Sequence, residues 1–280
     1  MTDRATVWLH KHGELRFGAM PALMGILNVT PDSFSDGGKF FTIQSAIDQA
    51  KRMEDNGADI LDIGGESTRP YSQPVTGDDE LRRVVPVLEQ LQGKIHIPIS
   101  IDTTKSEVAS AALDLGASII NDVSGLRWDP AMVYLALTQK AGVCAMHIQG
   151  TPQTMQNNPS YQDVVQDILG YLLETKQSLI DAGIEPQRIC LDPGIGFGKT
   201  HEHNLTLLRN AQRFHETGCP ILIGHSRKGF IAKILGNKDI SRTMGTVGVS
   251  LALACRQIHI LRVHDIAEHR QALQLFLACL

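Results

Sequence analysis

Cysteine is scarce and poorly placed for structural chemistry. The 280-residue chain has five (Cys144, Cys190, Cys219, Cys255 and Cys279), an odd number with no C-x-x-C pair. That pattern argues against a disulfide framework and a zinc site, and it fits a reducing compartment. Long apolar runs are lacking too. No stretch approaches the roughly 20 apolar residues that span a bilayer. The opening MTDRATVWLHKHG has no apolar core of the secretory kind. Nor is there an excess of one charge: 26 basic against 30 acidic residues give −4 and a pI near 6.2. Such a balance offers no electrostatic basis for binding nucleic acid or an acidic membrane. An anionic ligand would need a local cationic site. These absences predict a cytoplasmic protein without nucleic-acid or membrane partners.

Linkers, low-complexity segments and long charge runs are missing as well, so no boundary divides residues 1–280 into two domains. What is present is a rhythm. Residues 1–18 read as a short hairpin: TVWL, a KHG turn, then ELRF. Eight apolar strands follow: LMGILNV, ADILDIGG, IPISIDT, SIINDVS, GVCAMHI, ICLDPG, PILIGHS and IHILRVH. Their polar ends are Asn28, Asp62, Asp102, Asn121, His147, Asp192, Ser226 and His264. Amphipathic stretches separate them, such as Ile43 to Gly57 and Asp79 to Gly93. In the first, Ile43, Ala46, Ile47, Ala50 and Met53 form one face, and Gly57 supplies a C-cap. Met132, Leu135 and Leu137 are further core positions. Near-continuous apolar strands suit a parallel sheet covered by helices. Eight such units over about 250 residues predict a single (β/α)8 TIM barrel rather than an open doubly wound sheet.

In such a barrel, chemistry collects at the C-terminal strand ends. Those ends carry Asn28, Asp102, Asn121, Asp192, Ser226, Lys228, Arg262 and His264. Asp62 and Asp122 read equally well as site groups and as caps of the next helix. Lys228, Arg262 and His264, after the last two strands, are placed to supply positive charge to an anion. Arginine also stacks its plane on aromatic heterocycles. Two connections, Thr30 to Phe41 and Ser67 to Asp79, exceed the usual two to six residues and read as lids or binding loops.

Several motifs mislead. PGIGFGKT (Pro193 to Thr200) fails the phosphate-loop pattern at Pro193 and the dinucleotide pattern at Lys199. It reads as a tight glycine turn that lets backbone approach a flat ligand. His201-Glu202-His203 lacks zinc-protease spacing and reads as the start of a solvent-side helix. If Ser226 and Lys228 face the barrel mouth, alternation turns His225 toward the helices as a packing residue.

MGILNVTPDSFSDGG (Met24 to Gly38) and DIGGESTRP (Asp62 to Pro70) resemble the two leading signatures of the dihydropteroate synthases. SIDTTK, IINDVSG, MHIQGTP, LDPGIGFGK, GHSRK and RVHD follow in that family's order, and the resemblance spans about residues 20 to 270. Membership implies a homodimeric TIM-barrel transferase of folate biosynthesis, inhibited by sulfonamides. Its substrates are 6-hydroxymethyl-7,8-dihydropterin pyrophosphate and para-aminobenzoate. The resemblance implies pterin binding by Asp102, Asn121, Asp192, Lys228 and Arg262. It assigns Phe34, Thr68, Arg69, Pro70, Phe197 and Ser226 to para-aminobenzoate. Asn28, Arg262 and His264 would meet pyrophosphate, with Asn28 also a ligand to a Mg2+ cofactor. Asp36, Lys228, Arg262 and His264 would serve catalysis, a dissociative substitution at the pterin methylene. A related pterin-barrel methyltransferase acting on methyltetrahydrofolate shares the pocket but lacks both long loops together. A silent paralogue would be expected to lose Arg69, Lys228 or His264, and all three are present.

Overall fold

The computed structural model describes residues 4–30 and 43–280. Among these, the first element is the expected hairpin, β1 (Val7–His10) antiparallel to β2 (Gly13–Arg16). His10 pairs with Gly13, so Lys11-His12 alone forms the turn and Gly13 belongs to the second strand. The barrel strands are β3 (Ala22–Asn28), β4 (Ile60–Gly64), β5 (Ile99–Asp102), β6 (Ile119–Asp122), β7 (Gly142–Met146), β8 (Ile189–Asp192), β9 (Leu222–Ile223) and β10 (Ile260–Val263). The helices are α1 (Ile43–Asp55), α2 (Gly77–Leu91), α3 (Ser106–Asp114), α4 (Ala131–Thr138), α5 (Val164–Asp181), α6 (His201–Arg209), α7 (Gly229–Leu235), α8 (Thr243–Cys255) and α9 (Ile266–Ala278).

Strands β3 to β8 lie side by side in chain order, and β10 joins β3 with β9 beyond it. A parallel bridge between Leu191 and Ile221 links β8 to β9, and the Leu191 N–H donates to the Pro220 carbonyl at 3.0 Å. That contact closes the ring. A doubly wound sheet reverses its strand order at a switch point, and no reversal occurs here.

Closure buries both faces of every barrel strand, which is why the strands read as unbroken apolar runs. Successive side chains alternate between the helix layer and the barrel axis. On β3, Leu23 and Leu27 join the large core under the helices, whereas Ala22 and Met24 join a separate inner cluster. Gly25 faces outward: a Cβ there would stand 3.0 Å from the Met53 Sδ on α1. The inner cluster gathers Trp8 with Ile60, Ile119, Leu222 and Ile260, each the first residue of its strand. Trp8 is fully buried and its Nε1 donates to the Arg188 carbonyl at 2.9 Å. The hairpin therefore plugs the N-terminal end of the barrel and leaves the other end free to carry a site.

Three expectations about packing need correction. Ile43, the first residue of α1, is 39% exposed, whereas Ala46, Ile47, Ala50 and Met53 are buried. Leu137 is 37% exposed, since the short α4 buries Met132 and Ala136 and points Leu137 off that face, with Leu135 only half-buried. The helix expected from Asp79 begins two residues earlier, because Thr76 caps it by accepting the Asp79 N–H at 3.2 Å.

Trp8→Ala should destabilise the fold by about 3–5 kcal/mol, the usual cost of emptying a large buried aromatic site. Trp8→Phe should cost less, mainly the unmet Arg188 carbonyl. Urea midpoints of the three proteins measure both, and an Ala variant as stable as the parent would remove the plug from this account.

Candidate active site

Above the floor, the axis-facing positions turn polar. Two residues further along each strand, Ile60 gives way to Asp62, Ile119 to Asn121, Cys190 to Asp192 and Ile260 to Arg262. On β3 the same alternation leads from Met24 through Ile26 to Asn28. Asp102 ends β5 beside them. A Cβ on Gly64 would sit 3.4 Å from the Asp102 Cβ and 3.8 Å from the Asn28 Oδ1, so those three positions adjoin. Every described residue expected at the site, from Asn28 to His264, lines one cavity of about 1430 Å³.

Arg262 occupies its centre. Its Nε donates to the Asp62 Oδ2 at 2.6 Å and one terminal nitrogen donates to the Asp102 Oδ2 at 2.6 Å. Asp62 also accepts the Asn121 Nδ2 at 3.1 Å. Burial opposes the Arg262 charge, but the two carboxylates more than compensate and hold it protonated. Burial, with Asp62 nearby, lifts Asp102 to about 7 against the pull of Arg262. Asp62 is thus a site residue that sequence reasoning left undecided. It is fully buried on the axis and caps no helix, whereas Asp122 accepts the Ser124 N–H at 2.6 Å in a local turn. The available signal was register: β4 runs two residues past Asp62, so Asp62 cannot stand at the strand tip.

Asp192 and Lys228 form a second pair of opposite charges. Asp192 accepts the Gly194 N–H at 2.7 Å, and burial raises its pKa to about 6 although that hydrogen bond and Lys228 pull it down. Lys228 Nζ stands 4.0 Å over the centre of the Phe197 ring, and burial lowers its pKa to about 8 despite Asp192. The glycine turn below them does admit a close backbone approach, but the partner is the protein itself. A Cβ on Gly194 would lie 2.0 Å from the His147 carbonyl oxygen, and one on Gly196 would lie 3.0 Å from the Lys228 Cδ. Lys199 is almost wholly buried under this turn. It donates to the Phe197 carbonyl at 2.8 Å and lies 3.0 Å from the His147 Nδ1.

Ser226 Oγ stands 2.8 Å from the His264 Nδ1. Burial drives the His264 pKa down to about 3, with Arg227 and Arg262 adding to the effect, so its ring is neutral at pH 7. The expectation that His264 supplies positive charge is therefore corrected: it offers a hydrogen bond. Arg227, with φ of 56°, turns outward to pair with Asp265. His225 packs toward the helices as alternation requires, with Nε2 at 2.8 Å from the Ser250 Oγ on α8. His201 opens α6, where Thr200 and His203 cap each other.

The second long loop brings Thr68, Arg69 and Pro70 to the cavity wall. It leans on a third long connection, residues 147–163, whose length the sequence reading passed over. Tyr71 N–H donates to the Pro152 carbonyl at 3.0 Å, and Gln153 Nε2 donates to the Ser72 carbonyl at 2.9 Å. Phe34 and Asp36 lie outside the described residues. Among the described residues no three His, Cys, Asp or Glu side chains gather as a metal site. Asn28, half-buried at the tip of β3, lines the cavity and carries a neutral amide oxygen.

Comparison with known proteins agrees with this geometry. The family of pterin binding enzymes matches residues 24–264. Dihydropteroate synthase from Synechocystis sp. is 45% identical over 259 residues, covering 91% of this chain and 89% of that one. The structure of Yersinia pestis dihydropteroate synthase with a sulfonamide drug complex superposes with a TM-score of 0.92 at 38% identity, over 98% of each chain. Dihydropteroate synthase from Xanthomonas albilineans in complex with 7,8-dihydropteroate superposes at 0.84 and 39% identity, over 95% of each. Shared sequence and shared barrel converge: the chain belongs to the pterin binding enzymes, among the dihydropteroate synthases.

Proposed function

We propose that the cavity condenses 6-hydroxymethyl-7,8-dihydropterin pyrophosphate with para-aminobenzoate, and that its residues divide between the two substrates. The products are 7,8-dihydropteroate and pyrophosphate, a transferase step of folate biosynthesis. The observation that carries the division is the separation of Asp192 and Asn121 on strand ends, with Lys228 at the N-cap of α7, from Thr68 and Arg69 on the second long loop. Asp192 accepts the paired amino and ring N–H groups of one pterin edge. Asn121, held by Asp62, donates and accepts along another, and Lys228 donates to the ring carbonyl side. Arg262 presents its face to the pterin plane, because two carboxylates fix its edge. Thr68, Arg69, Pro70, Phe197 and Ser226 enclose para-aminobenzoate.

The electrostatics suit a dissociative substitution. Asp62 and Asp102, which face Arg262, bring carboxylates beside the bound ring, where they favour a cationic methylene. Arg262 brings positive charge to the departing pyrophosphate, and the neutral His264 donates a hydrogen bond there. Such preorganised groups are usually the largest single contribution to catalysis. The aniline nitrogen is already neutral at pH 7 and needs no strong base. Asn28 fits a Mg2+ ion, because one hard neutral oxygen leaves the other positions to phosphate oxygens and water. When bound, that ion supplies further neutralisation of the leaving pyrophosphate. The methyltransferase alternative lacks support, since both long signature loops are present.

A homodimer is supported by α8, which carries no Asp, Glu, Lys or Arg and exposes Met244 at 73%. An uncharged helix that leaves such a side chain uncovered suits an interface between two copies of the chain, and sedimentation equilibrium reports the mass. A cytoplasmic setting is supported by five free thiols. Among the described residues no helix is long and apolar enough to cross a membrane.

Pyrophosphate release should require both substrates and cease in excess EDTA, while pterin lacking its pyrophosphate still binds. Release that ignores para-aminobenzoate would overturn the reaction, and full turnover in EDTA would remove the metal. Arg69→Ala should raise the KM for para-aminobenzoate by about 10- to 100-fold, the usual weight of a hydrogen bond to a charged group. Binding of pterin pyrophosphate should hardly change. If titration instead showed pterin affinity falling with turnover, Arg69 would belong to the pterin pocket.

The profile of kcat/KM against pH should be bell-shaped. Below about 6 Asp192 gains a proton and can no longer accept from both pterin donors. Above about 8 Lys228 loses its proton and its charge. Activity should therefore fall on both sides of the window between them. Lys228→Met should lower activity and abolish the alkaline limb, and a limb that persists unchanged in that variant would reassign it.

A further inference from the structure

One ionic cluster beside the cavity plays no part in the reaction described above. Lys105, the residue before α3, directs its Nζ at two carboxylates, Glu66 Oε2 at 2.5 Å and Glu80 Oε2 at 2.6 Å. Glu80, on α2, is fully buried. Glu66 stands where β4 passes into the second loop, and its other oxygen accepts the Val75 N–H at 3.1 Å. A single carboxylate thus joins both ends of the segment 66–75. Lys105 ties that carboxylate to α2 and to the start of α3. The base of the loop is seated further by Gly65. Its carbonyl accepts an Arg83 nitrogen at 2.7 Å, and a Cβ there would stand 2.8 Å from the Val84 Cγ1.

We propose that Lys105 is a positioning residue for the second-substrate half of the site: its paired contacts with Glu66 and Glu80 clasp the loop so that Thr68 and Arg69 stand over the cavity. The inference rests on the reading of that loop as the para-aminobenzoate wall. Lys105 lines no part of the cavity, so it acts through Glu66, which does. The side chains of Lys105 and Glu66 are only 23% and 20% exposed. Charge-assisted hydrogen bonds so shielded hold geometry better than exposed surface pairs do. Burial works against the Lys105 charge, but its two partners outweigh that and keep the ammonium protonated. The other fastening of the loop, at Tyr71 and Ser72, rests on a second loop and not on the barrel frame. Without the clasp, the residues between are anchored mainly to another connection.

The test compares Lys105→Met, Lys105→Arg and Glu66→Gln by steady-state kinetics, calorimetry with pterin pyrophosphate, and amide hydrogen exchange across 66–76. Lys105→Met should raise the KM for para-aminobenzoate about tenfold while pterin pyrophosphate affinity stays within about twofold. It should also speed exchange at Val75 and its neighbours. Lys105→Arg should restore most of both. Adding Glu66→Gln to Lys105→Met should change little further, because the two act as one unit. If Lys105→Met fails to fold, through the unpaired charge left on Glu80, Lys105→Met with Glu80→Gln removes that charge and carries the same comparison. An unchanged KM with unchanged exchange would overturn the clasp, as would pterin affinity falling in step with turnover. Absence of turnover in the unsubstituted protein would count against the reaction itself, and exchange at 66–76 would then decide the clasp alone.

Discussion

Everything at the mouth of this barrel depends on one buried arrangement, the Arg262 guanidinium held between Asp62 and Asp102. An isolated charge in that position would be strongly unfavourable. Each member is tolerable only because the others face it across the axis, from β4, β5 and β10. Asp62 accepts from Asn121 as well, so β6 is bound into the same set. Removing one partner from such a group leaves an uncompensated charge, which costs far more than an exposed ion pair. The set therefore demands a barrel whose registers are fixed. Trp8 helps to meet that demand from the opposite end, where it fills the axis and keeps the apolar floor closed.

A second constraint is the glycine turn after β8. Gly194 passes so close to the His147 carbonyl that no side chain fits, and Gly196 lies against the Lys228 stem. The turn therefore sets the position of Lys228 relative to Asp192 by packing, before any ligand arrives. Phe197, carried on the same turn, offers its ring face to the Lys228 ammonium. A cation over an aromatic face loses water without losing all its stabilisation. The Asp192 carboxylate opposes the burial, so the lysine remains mostly charged at neutral pH in a site that lowers its pKa to about 8.

Much of this was legible in the sequence, and the rest was hidden for identifiable reasons. Eight apolar runs with polar ends implied the closed parallel sheet, because only a sheet covered on both faces tolerates such strands. The polar tips Asn28, Asp102, Asn121 and Asp192 followed from the same pattern. Asp62 and Asp122 look alike in sequence, each an aspartate near a strand end, and only register separates the axial one from the turn-former. The connection 147–163 escaped notice because its importance lies in what leans on it: Pro152 and Gln153 carry the second loop. His264 looks like a source of charge in sequence, yet burial makes its ring neutral. The clasp of Lys105 joins positions 39 and 25 residues away in the chain, and no local period reports such contacts.

The two kinds of support also differ in how they tolerate change. Strand-end residues are fixed by backbone ladders, so their spacing moves only if the barrel moves. Loop residues are fixed by a few side-chain and turn hydrogen bonds, such as Glu66 to Val75 and Tyr71 to Pro152. Altering one of these is expected to shift Thr68 and Arg69 without disturbing Asp192 or Arg262. Recognition of a rigid bicyclic ring benefits from the first kind of support, since a small displacement would break several hydrogen bonds at once. A smaller second substrate can be met by a wall that a few local hydrogen bonds hold. The proposed division, with the ring on the barrel frame and the wall on a fastened loop, meets both requirements within one barrel.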